Sequence, residues 1–208
     1  MTGLKQWLMS GLIVVYSLAA LADIVPPDVL AKNTTNEVMR IVKQDRDIKS
    51  GNNKKILDLV EEKILPNFDF PQMTRLAVGK NWNKATQAQQ DELVNEFRTM
   101  LVRTYSASLS SVADYKIDFK PFRLAPGETD VTVNTEVSKP GAPPIPINYR
   151  MEKQGDGWKV YDVLVDNVSM VTVYRSSFSS EVRKGGINGL LATLSRRNQP
   201  AAASGSKK

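Results

Sequence analysis

Asp162 and Asp166 stand four residues apart near the end of a strand-like run, and a carboxylate pair so placed could serve acid and base chemistry. The same two residues would also be ordinary turn formers, because aspartate side chains bond to nearby backbone. The chain contains no histidine and no cysteine, which removes Ser-His-Asp triads, imidazole general bases and Cys/His zinc sites together. It also has no G-x-x-x-x-G-K-[ST] loop, so any nucleotide-derived energy must come from a partner. No catalytic residue, metal ligand or resident cofactor is therefore expected.

The element that must carry the two aspartates runs from Trp158 to Val165. Trp158, Val160, Asp162 and Leu164 alternate there with Lys159, Tyr161, Val163 and Val165, the two-residue period of a strand that needs cover on both faces. From Val168 the spacing lengthens. Val168, Val171, Tyr174 or Arg175, and Phe178 recur at helical intervals, so the chain turns near Asp166 and Asn167 and enters an amphipathic helix. Gly185 and Gly186 end that helix, and Ile187 to Leu194 predicts a short last one.

Read together, this stretch fits YDVxVxGVS, a YRxxF helix and GxDGL at Tyr161, Asp162, Val163, Val168, Ser169, Tyr174, Arg175, Phe178, Gly186, Gly189 and Leu190. It resembles the C-terminal signature of the bacterial toluene-tolerance or MlaC-like phospholipid-binding proteins. Asn167 stands where the pattern has Gly, and Asn188 where it has Asp; asparagine tolerates left-handed backbone, so the turn is expected to survive. A distant block agrees with the same family. It comprises Phe68, Asp69, Phe70, Met73, Leu76, Ala77, Gly79 and Trp82, followed by Ala85, Thr86, Gln89, Phe97, Leu101 and Tyr105.

The ends have a different character from the body. Lys5, an uncharged run from Gln6 to Leu21 and an A-x-A site at Ala20–Ala22 describe a removable signal peptide at 1–22; a retained anchor is the alternative, though the apolar core falls short of the ~20 residues a bilayer needs. Without cysteine, an exported chain must rely on its core alone. The formal charge of +6 suggests nucleic acid, yet Lys5, Arg196, Arg197, Lys207 and Lys208 carry most of it at the two ends. The body is nearly neutral, and no nucleic-acid partner is expected. Residues 198–208, NQPAAASGSKK, have the composition of a solvated tail.

Between the ends, residues 23–197 predict a single α+β domain. After Pro26 and Pro27 a helical pattern spans Asp28 to Ile48, broken at Ser50–Asn53, and a second carries Ile56, Leu59, Val60 and Ile64. Thr86 and Gln89 form a capping box opening the longest helix, to about Val112. From Tyr115 the period becomes two. About four antiparallel strands follow, interrupted by Pro126–Gly127, by the stiff Pro140–Pro146 segment and by a hairpin turn at Gln154–Gly157. The fold expected is a curled antiparallel sheet wrapped by helices around an apolar cavity, similar to an NTF2-like sheet with a helical subdomain.

The resemblance implies a soluble, monomeric periplasmic carrier that holds phospholipid tails inside and leaves the headgroup outside. It implies lipid exchange with an inner-membrane ABC-transporter complex and an outer-membrane lipoprotein–porin complex, maintaining outer-membrane lipid asymmetry. Phospholipid would be cargo rather than cofactor. Such a carrier has a physical rationale: at ~0.8 kcal/mol per methylene, moving two sixteen-carbon chains through water costs roughly 25 kcal/mol. The expected lining is Met73, Leu76, Phe97, Leu101, Tyr105 and Val133, with Ile147, Val163, Val165, Met170, Tyr174 and Phe178 completing it, although each would serve equally as ordinary core. Lys80 and Arg175 are the expected headgroup contacts. The alternatives are a hydrolase or isomerase using Asp162 and Asp166, and an adaptor with a filled core.

Overall fold

The computed structural model describes residues 24–155 and 157–199. The expected leader at 1–22 lies outside them, as do positions 200–208 of the expected tail. Pro26 and Pro27 start α1 (Pro27–Gln44), whose buried face carries Val38 and Val42. One continuous helix to Ile48 was expected, but Asp45 adopts extended backbone. Its carboxylate instead accepts from the amides of Asp47 (2.8 Å) and Ile48 (3.2 Å), opening a separate α2 (Arg46–Lys49). Asn52 caps α3 (Asn53–Leu59), which widens into a π turn at Val60–Ile64 before Pro66.

Asp69 caps α4 (Phe70–Val78), and the Thr86–Gln89 capping box opens α5 (Gln87–Tyr105). The helical pattern runs on to Val112 in sequence, but beyond Tyr105 the backbone tightens into a 3₁₀ segment, Ser106–Ser111. Three serine hydroxyls in it bond back to carbonyls three residues earlier, which favours the tighter turn.

The sheet is an antiparallel meander in the order β1 (Lys116–Phe119), β2 (Asp130–Ser138), β3 (Ile145–Gln154), β4 (Gly157–Val165) and β5 (Val168–Ser169). Five strands replace the expected four because the helix starts two residues later than its periodicity suggests. Val165 pairs with Val168, so Asp166 and Asn167 form a two-residue hairpin loop, with φ of 50° and 62°. Positive φ at both positions is the mark of the type I′ hairpin, and it is where asparagine substitutes for glycine.

β4 contains a second departure. Arg150 faces Asp162 while Met151 faces Val160, leaving Tyr161 as an extra residue in a bulge. The bulge resets the alternation, so Val160 and Val163, expected on opposite faces, join one cluster with Val131, Val133, Met151 and Trp158. Tyr161 instead donates its hydroxyl to Asp130 (2.8 Å), beneath the Arg150 guanidinium; burial and that bond push its phenol up to about 12.

α6 (Met170–Asn198) closes the chain. It breaks at Gly185 and Gly186, whose backbones are non-helical, and the second half folds back on the first. Thr193 donates to the Glu181 carboxylate at 3.0 Å, although a straight helix would separate them by about 18 Å. With α4 and α5, α6 encloses a filled core in which Phe97 meets Tyr174 and Phe178 edge to face at 5.1 and 5.2 Å. Asn198, assigned to the tail by composition, ends α6 and donates to the Glu96 carbonyl at 2.8 Å. Among the described residues no helix is long and apolar enough to cross a membrane.

Candidate functional site

The other core is hollow. A cavity of about 410 Å³ lies between α1 and the face of the sheet, within the 300–1,000 Å³ of typical ligand pockets. Its floor is built by alternate strand residues: Ile117 on β1, Val137 on β2, Ile147, Tyr149 and Met151 on β3, and Val160 on β4. The roof comes from α1, with Leu30, Ala31, Thr34, Thr35, Val38 and Met39, and from Ser108, Leu109, Ser111 and Val112 beyond α5. Ile64, Asn67 and Phe68 close one side.

Short side chains explain why this space stays open. Ala31, Thr34, Thr35, Ser108 and Ser111 are short side chains facing the cavity, whereas the helical core meets phenylalanine with phenylalanine. The polar groups in the wall are few and partly satisfied within the protein. The Asn67 amide donates to the Thr34 hydroxyl (3.3 Å) and the Lys63 carbonyl (3.0 Å). Burial pushes the Tyr149 phenol up, so it stays neutral, and among the described residues no group of three or more His, Cys, Asp or Glu could hold a metal ion. A wall of this kind suits an apolar ligand.

Residues 32–196 match the family described as MlaC protein. The chain belongs to the MlaC family. Its similarity extends to the toluene tolerance protein ttg2D of Pseudomonas putida, 23% identical over 176 residues, which cover 84% of this chain and 81% of that protein. It extends in structure to a phospholipid-binding protein from Ralstonia solanacearum, solved in complex with a phospholipid. That protein is 35% identical, with a TM-score of 0.78 over 84% of this chain and 97% of the other.

In this MlaC-family chain, the positions picked from sequence fall into distinct places. Ile147 lies in the cavity wall, and Val133 and Val163 are buried in the cluster surrounding it. Met170 packs against both cores. Met73, Leu76, Phe97, Leu101, Tyr174 and Phe178 belong to the filled helical core. Tyr105 is 46% exposed, its hydroxyl 3.5 Å from that of Tyr174, and Val165 is 43% exposed at the end of β4. Lys80 and Arg175 do come together, with Arg75, in a surface cleft beside Gly79, where Arg175 Nε donates to the Leu76 carbonyl at 2.9 Å. That cleft shares no wall residue with the cavity.

The two aspartates do not form a pair. Asp162 is only 2% exposed and accepts from the Ser169 hydroxyl (2.6 Å) and the Val171 amide (3.2 Å), while Asp166 sits exposed in the hairpin loop. Neither belongs to the cavity wall. The roof residues of α1 escaped the sequence reading. Their trace is the run of Ala31, Thr34 and Thr35 between Leu30 and Val38, small residues at helical spacing on the sheet-facing side.

Proposed function

We propose that this protein is a periplasmic carrier that binds phospholipid with its acyl chains in the cavity between α1 and the sheet. The hollow sheet core is the observation that carries this reading, because it offers an apolar-lined cavity of ligand size. The phospholipid held by the Ralstonia solanacearum protein of the same fold supports the class of ligand. Export by the leader at 1–22 would place the carrier between two membranes. There it would take lipid from or deliver it to an inner-membrane ABC-transporter complex and an outer-membrane lipoprotein–porin complex, maintaining outer-membrane lipid asymmetry as a monomer without a resident cofactor. Carriage requires shape and apolar contact rather than bond chemistry, in keeping with a chain that lacks histidine and cysteine. Asp162 is engaged as a structural acceptor, which counts against the hydrolase or isomerase reading that pairs it with Asp166.

The test is solvent extraction of protein purified in detergent-free buffer, followed by mass spectrometry. Stoichiometric phospholipid is expected from the natural protein, with a several-fold loss in Ile147→Trp, whose added volume enters the cavity. An extract free of lipid would overturn the carrier reading in favour of an adaptor. Full loading of a well-folded Ile147→Trp protein would overturn the placement of the chains.

A further inference from the structure

Five wall residues of the cavity, Thr35, Met39, Ser111, Tyr115 and Ile117, also line a wider surface cleft of about 1290 Å³. These shared residues set the cleft directly beside the cavity, and four lysines border it. Lys43 from the last turn of α1, Lys49 from α2, Lys116 from β1 and Lys139 from the loop after β2 border it, with Asp114 as the acidic exception. All four lysines are exposed, and among the described residues none makes an ion pair, whereas Lys54, Lys55, Lys63, Lys120 and Lys184 each have a carboxylate partner. Lys139 Nζ lies 5.8 Å from the centre of the Tyr115 ring, a residue common to cleft and cavity.

A bland explanation covers part of this arrangement. Lys43 and Lys49 sit at helix C-terminal ends, where the helix dipole favours cations. It does not cover Lys116 and Lys139, which come from a strand and a loop. Four ammonium groups in a cleft adjoining an apolar chamber form an arrangement suited to an anion attached to an apolar tail.

Building on the carrier reading, we propose that Lys43, Lys49, Lys116 and Lys139 form the binding site for the headgroup phosphate of the lipid whose chains fill the cavity. The surplus positive charge makes the site select headgroups of net negative charge, such as phosphatidylglycerol, over zwitterionic ones such as phosphatidylethanolamine. The lysines are exposed, so this selectivity weakens as salt screens it.

The experiment loads lipid-stripped protein from a nonionic detergent solution holding equal amounts of phosphatidylglycerol and phosphatidylethanolamine with matched chains, and reads bound lipid by native mass spectrometry. A parallel arm loads from vesicles of the same composition. Proteins compared are the natural chain, the variant K43Q/K49Q/K116Q/K139Q and the control K153Q, each checked for folding by circular dichroism. A lysine beside an anionic lipid surface contributes about fivefold in binding, so the ratio of the two lipids should fall by at least about fivefold in the quadruple variant and stay unchanged in the control. An unchanged ratio in the folded quadruple variant overturns the selectivity, and unchanged loading of both lipids overturns the headgroup site as well, while the carrier reading stays intact. A preference seen from vesicles but not from detergent assigns the lysines to the membrane surface instead, and also overturns it. A natural protein that takes up no lipid in either arm sinks both proposals together.

Discussion

Asp162 shows how a residue that invites a chemical reading is used by the fold. Its carboxylate is buried where β4 passes α6, and its two bonds go to Ser169, the N-cap of α6, and to the Val171 amide in the first helical turn. A carboxylate there satisfies an orphan helix donor and complements the positive end of the helix dipole. Asp162→Ala would leave the buried Val171 amide without its acceptor, at about 1–3 kcal/mol. For a domain of this size each kcal/mol lowers the melting temperature by about 2–4 °C, which thermal unfolding would register. Phospholipid per folded molecule should not change, since Asp162 lies outside the cavity wall. A variant that keeps its melting temperature while losing lipid would show that Asp162 acts on the ligand after all.

At the scale of the element, α6 is two helices joined by one strained residue. Gly186 has φ 64° and ψ −165°, a region open to glycine and almost closed to residues with a Cβ; Gly185, at φ −138° and ψ 17°, is not so restricted. A Cβ at either position would meet nothing within 4 Å, so any cost of substitution is backbone strain and not a clash. Gly186→Ala should therefore destabilise by about 1–3 kcal/mol while Gly185→Ala stays near neutral. Chemical denaturation of the two variants compares them directly, and equal stabilities would mean that the joint relaxes into a straight helix. The glycine pair was legible in sequence as a helix break, and the Thr86–Gln89 box as a helix start, because each signal is local. The Tyr161 bulge and the break at Asp45 were not, since an unbroken periodic pattern runs through both and only tertiary pairing interrupts it.

Besides a smaller cluster of Val38, Val42, Ile48, Ile56 and Leu59 among α1, α2 and α3, the molecule as a whole has two apolar interiors of opposite character. The long ridge of Leu93, Phe97, Met100 and Leu101 on α5 is buried against α4 and α6. The cavity sits instead under α1, whose sheet-facing side carries the small residues Ala31, Thr34 and Thr35. Periodicity reports which face is buried but not what buries it, which is why the fold class and the helix–sheet layering could be read from sequence while the chamber's position could not. The division has a thermodynamic consequence. A ligand bound only by the folded state stabilises what it contacts, so stripping the lipid should loosen one interior and spare the other. Hydrogen exchange on lipid-loaded and stripped protein should show faster exchange in α1, the Ser106–Ser111 segment and β1–β3 after stripping, with α4, α5 and α6 unchanged. Protection lost chiefly in α4–α6 would place the lipid in the helical core, against the hollow interior from which carriage is argued.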